Sequence, residues 1–241
     1  MSEDKPSVTV VVPAYNEEPT LEQSILRTLD TFRACELDFE LIIVNDASAD
    51  KTGTIADELS RRLPEVDVAH HESNRGIGGA FKTGISKGTK DYVMFVPVDN
   101  PLEVDDLQAY LCRMGICDII VGYRAERVGY TSFARFASFV YNRLLVPLLF
   151  NIGITDVNWI QAYRRQLFAD GVLSYENEGL FWLVEVLVNA RSQRLIIAEV
   201  PSKMKKRLHG KATCTRVSVM IATLIAMLRF FRRRLRENSQ S

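Results

Sequence analysis

The sequence predicts an α/β fold, a mostly parallel sheet flanked by helices, and three of its features make that prediction. Short β-branched apolar runs alternate with longer segments whose apolar residues recur at helical spacing. Within the runs successive positions are apolar, as in strands covered on both faces. Polar residues collect just after the runs, and open parallel sheets bind their ligands beyond the carboxyl ends of their strands. With 241 residues, 47% of them hydrophobic, the chain is long enough to bury a full core.

The first strand is expected over Val8–Val12 (VTVVV), closed by the turn residues of PAYNEEP, residues 13–19. A helix follows with Thr20 as its cap, and Leu21, Ile25, Leu29 and Phe32 line one face of it up to the polar break near Glu36. Phe39–Val44 (FELIIV) is the second strand, ending in NDASAD, and Thr52–Leu63 is its helix. Val66–His70 reads as a short strand, Ile77–Lys87 as a helix, Tyr92–Val96 as a strand, Val104–Met114 as a helix and Asp118–Val121 as a strand. Four strand ends thereby bring polar residues to one crevice. Pro13, Tyr15, Asn16 and Glu17 follow the first strand, Asp46 and Ser48 the second, Asn74 and Arg75 the third, and Asp99 with Asn100 the fourth. Such residues also suit turns and caps, but one loop explained that way is more expected than four together.

The formal net charge is zero, yet from Arg191 to Arg236 thirteen Lys and Arg face one acid, Glu199, an excess of twelve. That end suits a polyanion or a membrane surface. Without interleaved aromatic residues to stack bases, nucleic acid is the weakest of its partners. Within it, the twelve residues Val217–Leu228 carry no charge, too few for the roughly 20 that span a bilayer. Arg229, Arg232, Arg233, Arg234 and Arg236 follow directly. This is the pattern of an interfacial helix, with a core-packed or dimer-forming helix and a solvated basic tail as the alternative. The four cysteines form no metal or redox motif, and no basic-then-apolar leader opens the chain. A reduced, cytoplasmic protein is expected, peripheral on the cytoplasmic face of a membrane, divided into a domain of residues 1–212 and an amphipathic helix with basic tail, 213–241.

Three stretches carry a resemblance: VVVPAYNEE at Val10–Glu18, LIIVNDASADKT at Leu41–Thr52 and ESNRGIGGAFKTG at Glu72–Gly84. They are similar to the nucleotide-sugar glycosyltransferases of family 2, which have the Rossmann-like GT-A fold. DIIVGYR at Asp118–Arg124, YRRQLF at Tyr163–Phe168 and AEVPSKMKKRLHGKAT at Ala198–Thr213 resemble the branch that contains dolichyl-phosphate mannose synthase and its bacterial polyprenyl-phosphate relatives. The resemblance runs from Val8 to Phe231. It implies an inverting transfer of a sugar from GDP-mannose or a UDP-hexose to a polyprenyl phosphate, with peripheral membrane association and a homo-oligomer as an open expectation. A non-lipid acceptor, or a homologue that binds nucleotide sugars without turnover, are the alternatives.

The resemblance also implies roles. Pro13, Tyr15 and Glu17 would hold the nucleoside and Asp46 the base; Tyr15 offers a flat apolar face, and carboxylates accept from base N–H and ribose hydroxyl groups. Gly76, Gly78 and Gly79 read as packing first and ligand contact second. Where the family usually has Asp-x-Asp, this chain has Pro97-Val-Asp99, with Pro101 two residues on. Asp99 is then the one carboxylate left for Mg²⁺ or Mn²⁺, which would be weakly held by Asp99, the donor diphosphate and water. The alternative is that Asp99 caps the helix from Val104 or orders its turn. Arg124 and Arg207 match family arginines suited to phosphate, and Lys211 stands two residues before the family's Lys position, here Thr213. Arg135, with Ser138 and Asn142, resembles the region that receives the lipid phosphate, and Asp156 opens a loop that lies near the sugar in relatives. Asp99, Arg124 and Asp156 are thus the catalytic candidates.

Overall fold

The computed structural model describes residues 5–99, 102–125, 131–203 and 217–238. Its strands are β1 (Val8–Ala14), β2 (Phe39–Asn45), β3 (Val66–His70), β4 (Tyr92–Phe95), β5 (Ile119–Arg124), β6 (Gln161–Arg164) and β7 (Ile197–Ser202). They form one seven-stranded sheet in the order β3-β2-β1-β4-β6-β5-β7. Every neighbouring pair is parallel except those made by β6, which runs antiparallel to both β4 and β5. The mostly parallel α/β fold expected from the sequence is the fold observed. The boundaries move by a few residues. The helix expected over Val104–Met114 ends at Leu111, and the strand expected over Asp118–Val121 is Ile119–Arg124.

The helices are α1 (Leu21–Ala34), α2 (Thr52–Arg62), α3 (Gly76–Lys87), α4 (Val104–Leu111), α5 (Ser132–Phe139), α6 (Val146–Phe150), α7 (Gln166–Ala169), α8 (Trp182–Ser192) and α9 (Val217–Asn238). A π-helical segment, Val140–Leu145, joins α5 to α6. Alternation along β1 sorts the two faces: Val10 and Val12 pack with Ile25 and Leu29 of α1 and with Leu107 and Tyr110 of α4, whereas Val11 packs with Phe81 of α3, Trp182 of α8 and Met227 of α9. The second face is aromatic. Phe81 stacks on Trp182 at 4.5 Å between ring centroids, and Phe95 meets Trp182 edge-on at 5.8 Å.

β1 has β2 on one side and β4 on the other, so their carboxyl ends open together. Two glycines allow the close approaches that shape this region. A Cβ on Gly84 would lie 2.3 Å from a methyl of Val11, so its absence lets α3 press onto β1. A Cβ on Gly122 would lie 2.0 Å from the Tyr110 hydroxyl, which donates instead to the Ile160 carbonyl at 2.9 Å.

Thr20 does stand at the start of α1, but its side chain caps no helix amide. Its hydroxyl donates to the Glu17 carboxylate at 2.8 Å. The expected boundary at 212/213 falls outside the described residues. On α9, Met227 and Phe230 are buried against the body, and Phe230 meets Phe150 and Phe181. The opposite face exposes Ile221, Leu224, Ile225 and Leu228. The structure adds a second apolar helical stretch: Ser132–Phe150, 19 residues, is long and apolar enough by length and composition to cross a membrane, and exposes Phe133, Phe136, Phe139, Leu144 and Leu148. Asn142, buried within it, accepts from the Val157 amide at 3.0 Å and so ties it along the domain.

Candidate active site

The loops after β1 and β2 are stitched to one another by short polar side chains. Asn16 takes a left-handed backbone, φ 54°, so that its amide donates to Ser48 Oγ at 3.0 Å while its Oδ1 accepts from the Ala49 amide at 2.9 Å. The Glu17 amide donates to Thr52 Oγ1 at 2.8 Å. Among these bonded neighbours Tyr15 stands out, 51% exposed. Pro13 and Glu17 flank it, half-buried.

Asp46 is the centre of the next cluster and is almost fully buried. Its Oδ1 accepts from the Arg75 amide at 2.8 Å and lies 2.7 Å from His71 Nδ1, and its Oδ2 accepts from the Gly76 amide at 2.8 Å. The anion at the start of α3 is therefore the protein's own carboxylate, set where free amides and the helix dipole favour it. Much of what Asp46 could offer a base is spent on this duty. His71 continues the chain with Nε2 2.8 Å from Thr83 Oγ1. The glycines of α3 serve packing, as the sequence suggested: a Cβ on Gly76 or Gly78 would come within 2.6 Å of the carbonyl oxygens of Glu178 or Asn177. Burial pushes the Tyr175 phenol up from its ordinary value, so it remains a donor, to the Gly78 carbonyl at 2.8 Å.

Asp99 follows the end of β4, half-buried. It does not cap α4, whose cap position is Glu103. The turn before it is anchored by a hydrogen bond from Ser24 of α1 to the Val98 carbonyl.

Arg124 and Asp156, expected separately, meet. Arg124 Nε donates to Asp156 Oδ2 at 2.6 Å and Nη2 to Oδ1 at 2.7 Å, a bidentate pair whose side chains are 7% and 1% exposed. The guanidinium also lies over the Trp159 ring, 5.0 Å from its centroid. Gly122 makes room here too, since a Cβ on it would come within 2.8 Å of Trp159. The pair is tied to the helical stretch Ser132–Phe150, because Asn142 holds the amide of Val157, the residue after Asp156. That engagement, with its amide donating to the Ser138 carbonyl at 2.9 Å, makes Asn142 a brace rather than an open phosphate ligand. Arg135 is exposed on α5. Asn100, Arg207 and Lys211 lie outside the described residues.

Residues 9–171 match the family model described as Glycosyl transferase family 2. The chain belongs to that family. Its relatives include a dolichyl-phosphate beta-glucosyltransferase, ALG5A, of Trichomonas vaginalis, 26% identical over 239 residues that cover 93% of this chain and 74% of that one. They also include an undecaprenyl-phosphate mannosyltransferase of Micrococcus luteus, 25% identical over 214 residues, 85% of this chain and 86% of that one. Glycosyltransferase AglD of Haloferax volcanii is 29% identical over 203 residues, but the match spans only 32% of its length. Among solved structures, glucosyl-3-phosphoglycerate synthase of Mycobacterium tuberculosis in complex with Mn²⁺, UDP and glucosyl-3-phosphoglycerate superposes with a TM-score of 0.70 at 20% identity, over 92% of this chain and 80% of that one. The protein is a glycosyltransferase with the GT-A fold.

Among the described residues no three His, Cys, Asp or Glu side chains gather where they could hold an ion. One carboxylate, the half-buried Asp99 after β4, suits a hard cation that takes most of its oxygens from a diphosphate and water. The structural neighbour has been solved with Mn²⁺ or Mg²⁺ together with UDP.

Reading the sequence alone singled out neither His71 nor Trp159. His71 was visible only as half of a His pair ending β3; Trp159 sits in DVNWIQ beside the noted Asp156.

Proposed function

We propose that the protein transfers a hexose from a nucleotide sugar, GDP-mannose or a UDP-hexose, to a polyprenyl phosphate at the cytoplasmic face of a membrane, with inversion. The observation that carries this reading is the join between crevice and apolar helix. Asn142 fastens Ser132–Phe150, with its exposed Phe133, Phe136 and Phe139, to the residue following Asp156. Arg135 and Arg143 are exposed on the same stretch, and no acid occurs from residue 131 to 155. A helix of that composition suits the interface of an anionic bilayer, and α9 adds its exposed aliphatic face followed by arginines. Relatives named for dolichyl and undecaprenyl phosphate, matched over most of their lengths, support the same acceptor class.

In this reading Tyr15 stacks on the nucleoside, Pro13 and Glu17 shape its pocket, and Asp46 holds the start of α3 beside the base. Asp99 and the donor diphosphate would hold Mg²⁺ or Mn²⁺, which would supply charge neutralisation for the leaving group. An oxygen of the acceptor phosphate attacks the anomeric carbon from the face opposite the nucleotide. The new C–O bond forms as the bond to the diphosphate oxygen breaks, and the nucleoside diphosphate leaves with the electron pair. A phosphate is already anionic at neutral pH, so orientation and charge neutralisation do the work rather than a strong base. Arg124 first holds Asp156 beside the sugar, since its charge is balanced by that carboxylate; Arg135, Arg207 and Lys211 supply further positive charge for phosphates.

The test is transfer of label from a panel of GDP- and UDP-sugars to a short polyprenyl phosphate, scored in the organic phase with Mg²⁺ or Mn²⁺ and with EDTA. Label from one donor that disappears with EDTA is the expected result. Transferred label that stays in the aqueous phase, or nucleotide binding with no transfer at all, would overturn the lipid acceptor.

A further inference from the structure

Glu185 is a buried carboxylate that the reaction above does not use. It sits on α8 at 2% exposure. Its Oε1 accepts from the Glu176 amide at 3.1 Å and its Oε2 from the Asn177 amide at 2.9 Å. Arg233 of α9 reaches it from the other side, Nη2 to Oε1 at 3.3 Å, and also pairs with the Glu176 carboxylate. A cavity of about 330 Å³ lies between these groups, bounded by Phe181 and Phe230. Keeping a carboxylate there is costly unless its bonds are complete, and the two from backbone amides both bear on one short segment, residues 175–179.

The far side of that segment presses on α3. The Glu178 carbonyl accepts from the Gly78 amide at 2.8 Å, the Tyr175 hydroxyl donates to the Gly78 carbonyl, and Arg75 pairs with the Glu178 carboxylate at 3.0 Å. The contact is too close for any Cβ at Gly76 or Gly78. Arg75 and Gly76 are the residues whose amides Asp46 holds. A continuous series of short polar contacts thus runs from Arg233 through Glu185, the 175–179 segment and the first turn of α3 to Asp46.

We infer that Glu185, held by Arg233, is a positioning residue for the donor site: it fixes the 175–179 segment, hence the entry of α3 and the Asp46 loop, and makes donor affinity depend on how α9 is seated. This rests on the donor reading given above. Because the opposite face of α9 is the exposed aliphatic one, a surface that engages α9 acts on the donor site through the same contacts.

The experiment measures nucleoside diphosphate binding by calorimetry, steady-state kinetics, and amide hydrogen exchange in the full chain. Glu185→Gln should raise the donor KM and the nucleotide Kd about five-fold, within the usual range of coupling between sites, with kcat and the acceptor KM changed less than about two-fold. Arg233→Met should shift them in the same direction, Arg233→Lys should restore most of the loss, and the double variant should be no worse than Glu185→Gln alone. Amides of residues 75–79 should exchange faster in both single variants. Arg234→Met removes bonds to Asn189 and Ser192 at the same helix contact but not to the segment, and should leave the donor KM unchanged. A lowered melting temperature with unchanged Kd and exchange, or an equal shift in Arg234→Met, overturns the inference alone. If Glu185→Gln fails to fold, Arg233→Met, at a half-exposed side chain, decides by the same readouts. A wild-type chain that binds no nucleotide overturns the donor reading and the inference with it.

Discussion

The two halves of the crevice are built on opposite terms. On the side proposed for the donor, Asn16 pairs with Ser48, Thr52 with the Glu17 amide and Asp46 with His71, and Tyr15 projects from among them. On the side proposed for the acceptor, three phenylalanines and several leucines and isoleucines on Ser132–Phe150 and α9 stand about half exposed among the described residues. The first is preorganised before any ligand arrives, so its substitutions act on the pocket's shape. The second is complete only against something apolar outside the chain.

The Arg124–Asp156 pair lies at the seam and should show the largest effect. Arg124→Met leaves a nearly fully buried carboxylate without its partner, which typically costs about 3–5 kcal/mol. Asp156→Leu with Arg124→Met should recover much of that stability in urea unfolding while transfer stays lost. If the single and double variants are equally unstable, the pair is not what joins the halves.

Next comes Asp99. Asp99→Ala should reduce transfer about 100-fold, more than any loss of stability in urea unfolding accounts for. Activity that survives both this change and EDTA would move the charge-neutralising duty to the arginines.

The acceptor side is sharpened by Phe133→Ser, Phe136→Ser and Phe139→Ser combined. All three rings are more than half exposed, so stability should hold, while cosedimentation with phosphatidylglycerol-containing vesicles should weaken at least about tenfold given the apolar area withdrawn. A shift from dimer to monomer without loss of vesicle binding would make a second copy the cover instead. On the donor side, Tyr15→Ala should raise the donor KM several-fold, about the worth of one stacked base, without altering vesicle binding.

How much of this could be read in the chain also divides at the middle. Through β4 each strand is a β-branched or aromatic run followed by a helix with apolar spacing, so elements and crevice residues emerged nearly in register. After Arg124 the pattern fails for physical reasons. β6 is four residues, QAYR, entering antiparallel between two strands. β7 contains Glu199 and Pro201, which interrupt its apolar run. α8 is buried almost all round, Trp182 to Val188, so no polar stripe marks its period. The roles of Asp46 and Glu185 were hidden differently, since the groups that engage them lie 25 to 48 residues away for His71 and Arg233, a pairing that only the folded chain creates.

The smallest expected effect concerns how the acceptor side continues. Asp106 of α4 is buried and accepts from the Lys203 amide with both oxygens at 3.1 Å, just before residues 204–216. Burial raises its carboxyl above the ordinary value, with the Lys203 bond pulling the other way. A raised folded-state value means the fold prefers the protonated form. Its stability contribution is therefore greatest below the ordinary Asp range near 3.8 and declines as pH rises toward the folded value. Asp106→Asn should remove that decline, so thermal unfolding of the wild type and the variant should diverge as pH climbs through this window and run parallel above it. Divergence of the opposite sign would mean that the bonds to Lys203 outweigh burial, and that the ionised carboxylate anchors the stretch bearing Arg207 and Lys211.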